Sequence, residues 1–348
     1  MSNGNQVDDS PPAAAAAQDP AAIPDSPAMA DAAAPPGTGA IAAIATAAGA
    51  GRARPNPASG ETGGPPESAA LVRSTLRFFG NELRITFFRR RNQLLLLVVV
   101  LFPLLIGAGL KAAAPHGGGR GPSASGAAYF SQLAGNGVFL TFVALSLLLI
   151  LVLPVVVAVV AGDSIAGEAG YGTLRYLLAV PAGRTRLLIV KYATIVVWAV
   201  AATFVVSVVA LVAGVALFGA GPVTLLSGST VSLADGLLHV LWVTLYVCAA
   251  MAALGAIGLA ISTFTEHAIG AIAAVMILVV ASEVVDNIPQ FAPVNPYLPT
   301  HWWLSFDSLL RTPVDLSTLL RGLLSFAVYA VIFLCIAWAR FTSSDVTS

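Results

Sequence analysis

The chain has 348 residues, 57% of them hydrophobic and only 10% charged, with a formal net charge of zero and a mean hydropathy of +0.86. Soluble domains carry about 25% charged residues, so this composition excludes a water-soluble globule of that length. The neutral total conceals an asymmetry: basic residues gather at the borders of apolar runs, a membrane pattern rather than a nucleic-acid one.

Residues 1–69 are built largely from Ala, Pro, Gly, Ser and Asp and contain no aromatic residue. They lack the apolar surface that would offset the entropy of folding, and read as a disordered tail. The alanine-rich run 41–51 follows no basic residue and contributes little hydrophobicity, so it is read neither as a span nor as a signal peptide.

From Leu71 the pattern turns helical. Val72, Leu76, Phe79, Leu83 and Phe87 recur on one face while Arg73, Arg77, Arg84 and Arg91 line an adjacent one, which predicts an amphipathic helix over 70–92. Lying at the bilayer surface, it would bury its Phe and Leu side chains and leave Arg89, Arg90 and Arg91 among lipid headgroups. A DNA- or RNA-binding arm is the bland alternative, and the apolar run that starts at once at Leu94 speaks against it.

Six apolar segments follow, about 94–110, 138–161, 188–218, 237–261, 268–285 and 319–339. Each is near the roughly 20 residues needed to span hydrocarbon, which predicts an all-α polytopic membrane protein with 93–348 as its six-span domain. Pro103 in the first is tolerable if neighbours satisfy the freed carbonyl. Arg52, Arg54, Arg73, Arg77, Arg84 and Arg89–Arg91 precede the first span, and Arg175, Arg184, Arg186 and Lys191 lie in or border the second loop. The intervening loop holds Lys111 and Arg120, later loops have none until Arg311 and Arg321, and Arg340 ends the sixth span. The positive-inside bias therefore predicts a cytoplasmic second loop and cytoplasmic N and C termini.

That second loop, DSIAGEAGYGTLRYLLAVPAGRTRLLIVK from Asp163 to Lys191, is the most informative stretch. Asp163 follows directly on an apolar run, so the helix is expected to meet water there. Ile165, Leu174, Leu177 and Leu178 form a partial apolar face, and Pro181-Ala182-Gly183 breaks the helix, predicting a short helix, a turn and a return to the membrane.

The order Asp163, Ile165, Glu168, Gly172-Thr173-Leu174, Leu177-Leu178, Pro181, Arg184 and Lys191 resembles the loop after the second span of ABC-2 type permeases, the membrane subunits of a large group of ABC transporters. Weaker similarity covers Glu82 to Pro103 and Pro293 through Pro296, and Phe341–Val346 is similar to the family's terminal pattern, with serines where basic residues are usual. The resemblance spans about residues 71–346. It implies a loop that docks into a cytoplasmic ATPase, with Asp163, Glu168 and Thr173 bonding within the loop or across the interface and Arg184 and Lys191 holding the returning helix at the headgroups. It further implies a second permease copy or homologue, contact with membrane lipids, residence in the cytoplasmic membrane, and transport, more usually export. The alternative for these polar residues is that they merely cap helices and stop translocation.

The chain has no GxxxxGK[ST] loop. ATP and Mg²⁺ would therefore belong to the separate ATPase, and no cofactor, metal or catalytic residue is expected here. Asp235 with His239, Glu266 with His267, and Glu283 with Asp286 are ionisable pairs at segment ends, where solvated helix termini compete with an ion or proton relay. Glu283 lies furthest inside its run. The proline- and aromatic-rich segment 286–306 is expected at the outer interface with Trp302 and Trp303 at headgroup depth, and the resemblance adds an outer-gate role for which Glu283, Asp286, Trp302 and Trp303 are the candidates. Cys248 and Cys335 are expected as buried, inert thiols, and His116, His239, His267 and His301 lack ligand spacing. GDSIAG at 162–167 lacks the spacing of a nucleophile elbow, leaving a non-transporting membrane anchor or assembly factor as the alternative function and an intramembrane enzyme as a remote third.

Overall fold

In a computed structural model of the protein, the residues described are 67–113, 136–170, 183–221, 223–224, 230–311 and 314–343, all within the unit Gly63–Ser348. They form an all-α bundle containing six helices long and apolar enough to cross a membrane. Residues 1–66 of the predicted tail and the loop segment 171–182, with Gly172, Thr173 and Pro181, lie outside the described residues, and 67–69, expected in the tail, open the first helix.

The first helix, α1 (Glu67–Phe88), is the predicted amphipathic one. Its inward stripe comprises Thr75, Phe78, Phe79, Glu82, Leu83, Thr86 and Phe87, while Val72, Leu76 and Phe88 are exposed. The helix therefore packs on the bundle as well as offering apolar side chains outward, and the Phe87 ring meets Trp198 edge-on at 5.1 Å. After Arg89 the chain turns into α2 (Arg90–Ala113), which is longer than the predicted span and carries Pro103 without a break.

The second predicted span is two helices, α3 (Phe139–Ile150) and α4 (Val152–Gly170). The break has a local cause. Pro154 has no N–H to give the carbonyl of Ile150 and its ring crowds that group, so α3 stops at Ile150 and Leu151 leaves helical geometry with φ −140°. At its other end α4 does not stop where the first acid appears. It runs through Asp163, Ile165 and Glu168 to Gly170, so these residues belong to the membrane helix rather than to the loop expected to start at Asp163.

α5 (Arg184–Phe218) begins directly after Gly183 and runs for 35 residues. A two-residue antiparallel pairing, Val223 with Val231 and Thr224 with Thr230, forms β1 (Val223–Thr224) and β2 (Thr230–Val231). Then come α6 (Leu233–Ser262) and α7 (Ala268–Asp286). Three short 3-10 helices, Pro289–Phe291, Asn295–Tyr297 and Trp303–Leu310, fill the segment that was too rich in proline to span. α8 (Leu316–Ser343) closes the chain.

Helix α6 runs through the middle and touches α3, α4, α5, α7 and α8. Its small residues allow close packing; a side chain at Gly258 would press on Ala161 of α4 at 2.7 Å. Ser207 and Thr244 share a hydrogen bond of 2.8 Å between α5 and α6, and the Trp198 indole donates to the Val156 carbonyl at 3.2 Å. Helices α2, α7 and α8 lie at the rim. Leu97, Leu101 and Leu105 of α2, Ile269 and Ile277 of α7 and Leu324 and Val331 of α8 are exposed apolar side chains, the arrangement a bilayer solvates. Cys248 is buried as expected, but Cys335 faces outward on α8; both are free thiols.

The antiparallel course gives the bundle two ends. One gathers the α1–α2 turn, the end of α4, the start of α5 and the end of α8, and we call it the Lys191 end. The other gathers the start of α3, the end of α5, the hairpin and the 3-10 segment, and is the Gly137 end.

Candidate functional site

The α1–α2 elbow is built by backbone economy. The amides of Asn92 and Gln93 both donate to the Arg89 carbonyl at 3.0 Å, starting α2, and the Asn92 carboxamide donates to the Thr86 carbonyl at 2.8 Å, one of those left unpaired where α1 ends. The turn thereby presents three successive arginines at one corner. Arg89 and Arg91 converge on a single oxygen of Asp163, Arg91 at 3.0 Å. Arg90 is exposed. Gly167 makes room for this contact, since a side chain there would collide with the Asp163 carboxylate.

Beside this group lies Lys191, whose side chain is only 4% exposed; its ammonium donates to Glu82 of α1 at 2.5 Å and to Glu168 of α4. A lysine buried to this degree requires paired carboxylates. Three helices that are distant in sequence, α1, α4 and α5, are thus joined through one ammonium. Between the two groups of charges is a cavity of about 280 Å³ bounded by α1, α2, α4 and α5.

The expected site residues are therefore redistributed. Asp163, Glu168 and Lys191 come together, but they face inward. Lys191 is not at the headgroups, because α5 begins at Arg184, nearly two turns before it, and carries it inside. Ile165 is buried in the core. Arg184 donates to the carbonyl of Thr342 at 2.9 Å and Trp338 donates to Thr185 at 3.0 Å, so the start of α5 holds the end of α8. A cation suits those terminal carbonyls. Arg340 lies over the Phe264 ring at 5.7 Å.

At the Gly137 end, Asp286 pairs with His301 at 2.6 Å, and the backbone carbonyl of Asp286 accepts from Asn295 at 2.9 Å, which ties the 3-10 segment to α7. The Trp302 indole donates to Pro296 at 2.9 Å and the Trp302 carbonyl accepts from Tyr246 at 2.8 Å. Trp303 is buried in the core rather than placed at an interface. Glu283 sits in the last turn of α7, where its carbonyl accepts from the Asn287 side chain at 2.7 Å, and nothing joins its carboxylate to Asp286. Asp235 caps α6 with Ser232, and His239 bonds back to the Asp235 carbonyl at 2.7 Å, so that pair is a helix terminus.

Outside the spans two acids depart from their ordinary behaviour. Hydrogen bonds from Ser317 and Thr318 hold Asp315, at the start of α8, down at about 2. Burial raises Asp307, with the Arg311 charge pulling the other way. Among the described residues no group of three His, Cys, Asp or Glu side chains is placed to hold a metal ion.

Reading the sequence alone missed Glu82, Asn92 and Thr194 and placed Arg89 and Arg91 among lipids. One signal was available: Glu82 interrupts an otherwise basic polar face, and Lys191 sits inside an apolar run, so each needed a partner. No curated protein matches this chain. The family described as "Protein of unknown function (DUF2705)" matches residues 123–347, from before α3 to the last residues of the chain and well over half of its length, and the chain therefore belongs to the DUF2705 family.

Proposed function

We propose that this protein is the membrane subunit of an ABC transporter, working with a separate cytoplasmic ATPase that binds ATP and Mg²⁺ and with a second permease copy or homologue, to move a solute across the cytoplasmic membrane, more usually outward. The observation that carries the reading is the Lys191 clamp. The segment 171–182, the middle of the Asp163–Lys191 stretch that resembles ABC-2 type permeases, is bracketed by the end of α4 and the start of α5, and both of those helix ends are held to α1 by Lys191, Glu82 and Glu168. A push on that segment would reach three helices at once through the shared, buried Lys191 ammonium.

The charge distribution supports a cytoplasmic Lys191 end. Among the described residues this end carries Arg73, Arg77, Arg84, Arg89, Arg90, Arg91, Arg184, Arg186, Lys191 and Arg340, while the Gly137 end carries Lys111, Arg311 and Arg321. Both termini then lie inside, and the Asp286–His301 segment with Glu283, Trp302 and Trp303 closes the outer side of the bundle. The exposed apolar rims of α2, α7 and α8 offer area for lipid and for the second copy.

The experiment is co-purification. The full chain, tagged and extracted from its native membrane in mild detergent, is expected to bring down a nucleotide-hydrolysing subunit. Recovery of the chain with no such subunit would refute the reading in favour of a non-transporting anchor.

A further inference from the structure

The cavity between α1, α2, α4 and α5 is lined by side chains that the clamp does not satisfy. Thr194 is 3% exposed and its hydroxyl has no partner. Other buried hydroxyls on α5 bond back one turn, as Thr203 does to Ala199 at 2.8 Å and Ser207 to Thr203 at 3.0 Å, but Thr194 does not. Asn92, 2% exposed, spends its amide on Thr86 and leaves its carboxamide oxygen unpaired. Both residues line the cavity, and leaving two such groups unpaired costs about 1–3 kcal/mol each.

The charges lining the cavity are separated in a definite sense. At one side two arginines share one carboxylate oxygen of Asp163, leaving guanidinium N–H groups directed to further acceptors. At the other side one lysine is shared between two carboxylates. Asp163 and Glu168 are five residues apart on α4, about 7.5 Å along the axis. The site thus offers donors with excess positive charge on its Arg89–Arg91 side, and acceptors, Glu82, the Asn92 oxygen and the Thr194 hydroxyl, elsewhere in its lining.

We infer that this cavity binds a zwitterion carrying a phosphate and a primary ammonium joined by a short linker, the phosphoethanolamine grouping. The phosphate sits on Arg89 and Arg91, which are half exposed and suit phosphate oxygens geometrically. The ammonium gives its N–H groups to Glu82, Asn92 and Thr194 across the cavity. A trimethylated ammonium has no N–H to give, and a headgroup without a cation leaves the acceptors unpaired. The grouping can come from a membrane lipid, since the cavity opens at the end of a spanning bundle, or from a free solute. The inference does not depend on the transport reading.

The test uses the purified full chain in neutral detergent and follows its thermal unfolding with phosphatidylethanolamine, phosphatidylcholine, phosphatidylglycerol or free phosphoethanolamine. Phosphatidylethanolamine is expected to raise Tm by several degrees more than the other two lipids do, through preferential binding to the folded state. The excess should disappear in Thr194→Val, which keeps the shape and removes only the hydroxyl, and in Glu82→Gln. Thr194→Val without lipid should unfold no lower than wild type, because it removes an unpaired buried group. An equal excess with free phosphoethanolamine assigns the site to a solute, and an excess with the lipid alone assigns it to a headgroup. Equal shifts with all three lipids, no shift with any, or a phosphatidylethanolamine excess that survives in both variants would overturn the inference.

Discussion

The two ends of this bundle are held together by different physics. At the Lys191 end the contacts between distant elements are charged: Arg89 and Arg91 on Asp163, and Lys191 on Glu82 and Glu168. At the Gly137 end they are mostly backbone and neutral. The Gly137 amide donates to Gly219 at 3.0 Å, Asn136 donates to Gly221, and α3 and α5 meet glycine on glycine at Gly137 and Gly214. Gly219 takes φ +85°, which a side chain would strain. Tyr246, Trp302 and Phe326 pack over the same end. A charged junction holds strongly in one geometry and responds to any change in its partners; a glycine and aromatic junction changes only by being taken apart. The first suits an end that receives a signal, the second an end that stays put.

The largest expected effect comes from breaking the clamp at its centre. Lys191→Met leaves the largely desolvated Glu82 and Glu168 without their cation and should cost about 3 kcal/mol, read as a fall in Tm of the purified protein. Replacing Glu82 and Glu168 by Gln in the same chain should recover most of the loss; no recovery would mean the lysine acts through packing alone. At the other end Gly214→Ala drives a methyl group into the Gly137 backbone and should cost about 1–3 kcal/mol, with no charge change able to rescue it. That difference in rescue is the sharpest form of the comparison.

Tyr246→Phe removes one hydrogen bond to Trp302 and should cost about 1 kcal/mol, while Gly322→Ala, whose new methyl group would collide with the same hydroxyl, should cost more than Tyr246→Phe and less once combined with it. The smallest effect is in acid. Because the folded pKa of Asp315 lies at about 2, below its ordinary value of 3.8, its support for the first turn of α8 is complete above pH 3.8 and lost as the pH falls through about 2. Amide exchange at Ser317 and Thr318 should accelerate over that window. Asp307 has the opposite sign: burial raises it, so the ionised form opposes folding at neutral pH and Asp307→Asn should raise Tm slightly.

Much of the architecture is legible in the sequence because run length and periodicity are local properties. Five of the six predicted spans correspond to single helices with ends moved by a few residues, and α1 begins within three residues of its predicted start. The misreadings have two causes. α4 was expected to stop at Asp163 because an acid after an apolar run normally meets water, yet the cations that retain its acids come from the α1–α2 turn, α2 and α5. The Leu151 break differs, since Pro154 was a visible local signal whose force depends on whether neighbouring groups satisfy the carbonyl it frees; Pro103 shows the tolerated case. The candidate site itself was half legible: Asp163, Glu168 and Lys191 stood out as polar residues at apolar borders, but Glu82, Asn92 and Thr194 join them only through tertiary packing.

The proposal that the clamp transmits ATPase movement to the spans is tested most directly by ATP hydrolysis in the reconstituted complex. With the co-purified ATPase and the full chain in nanodiscs, the wild-type chain should alter the rate relative to the ATPase alone. Glu168→Ala should leave the complex assembled and bring the rate back to that of the ATPase alone. An assembled Glu168→Ala complex with the full wild-type effect would contradict the account.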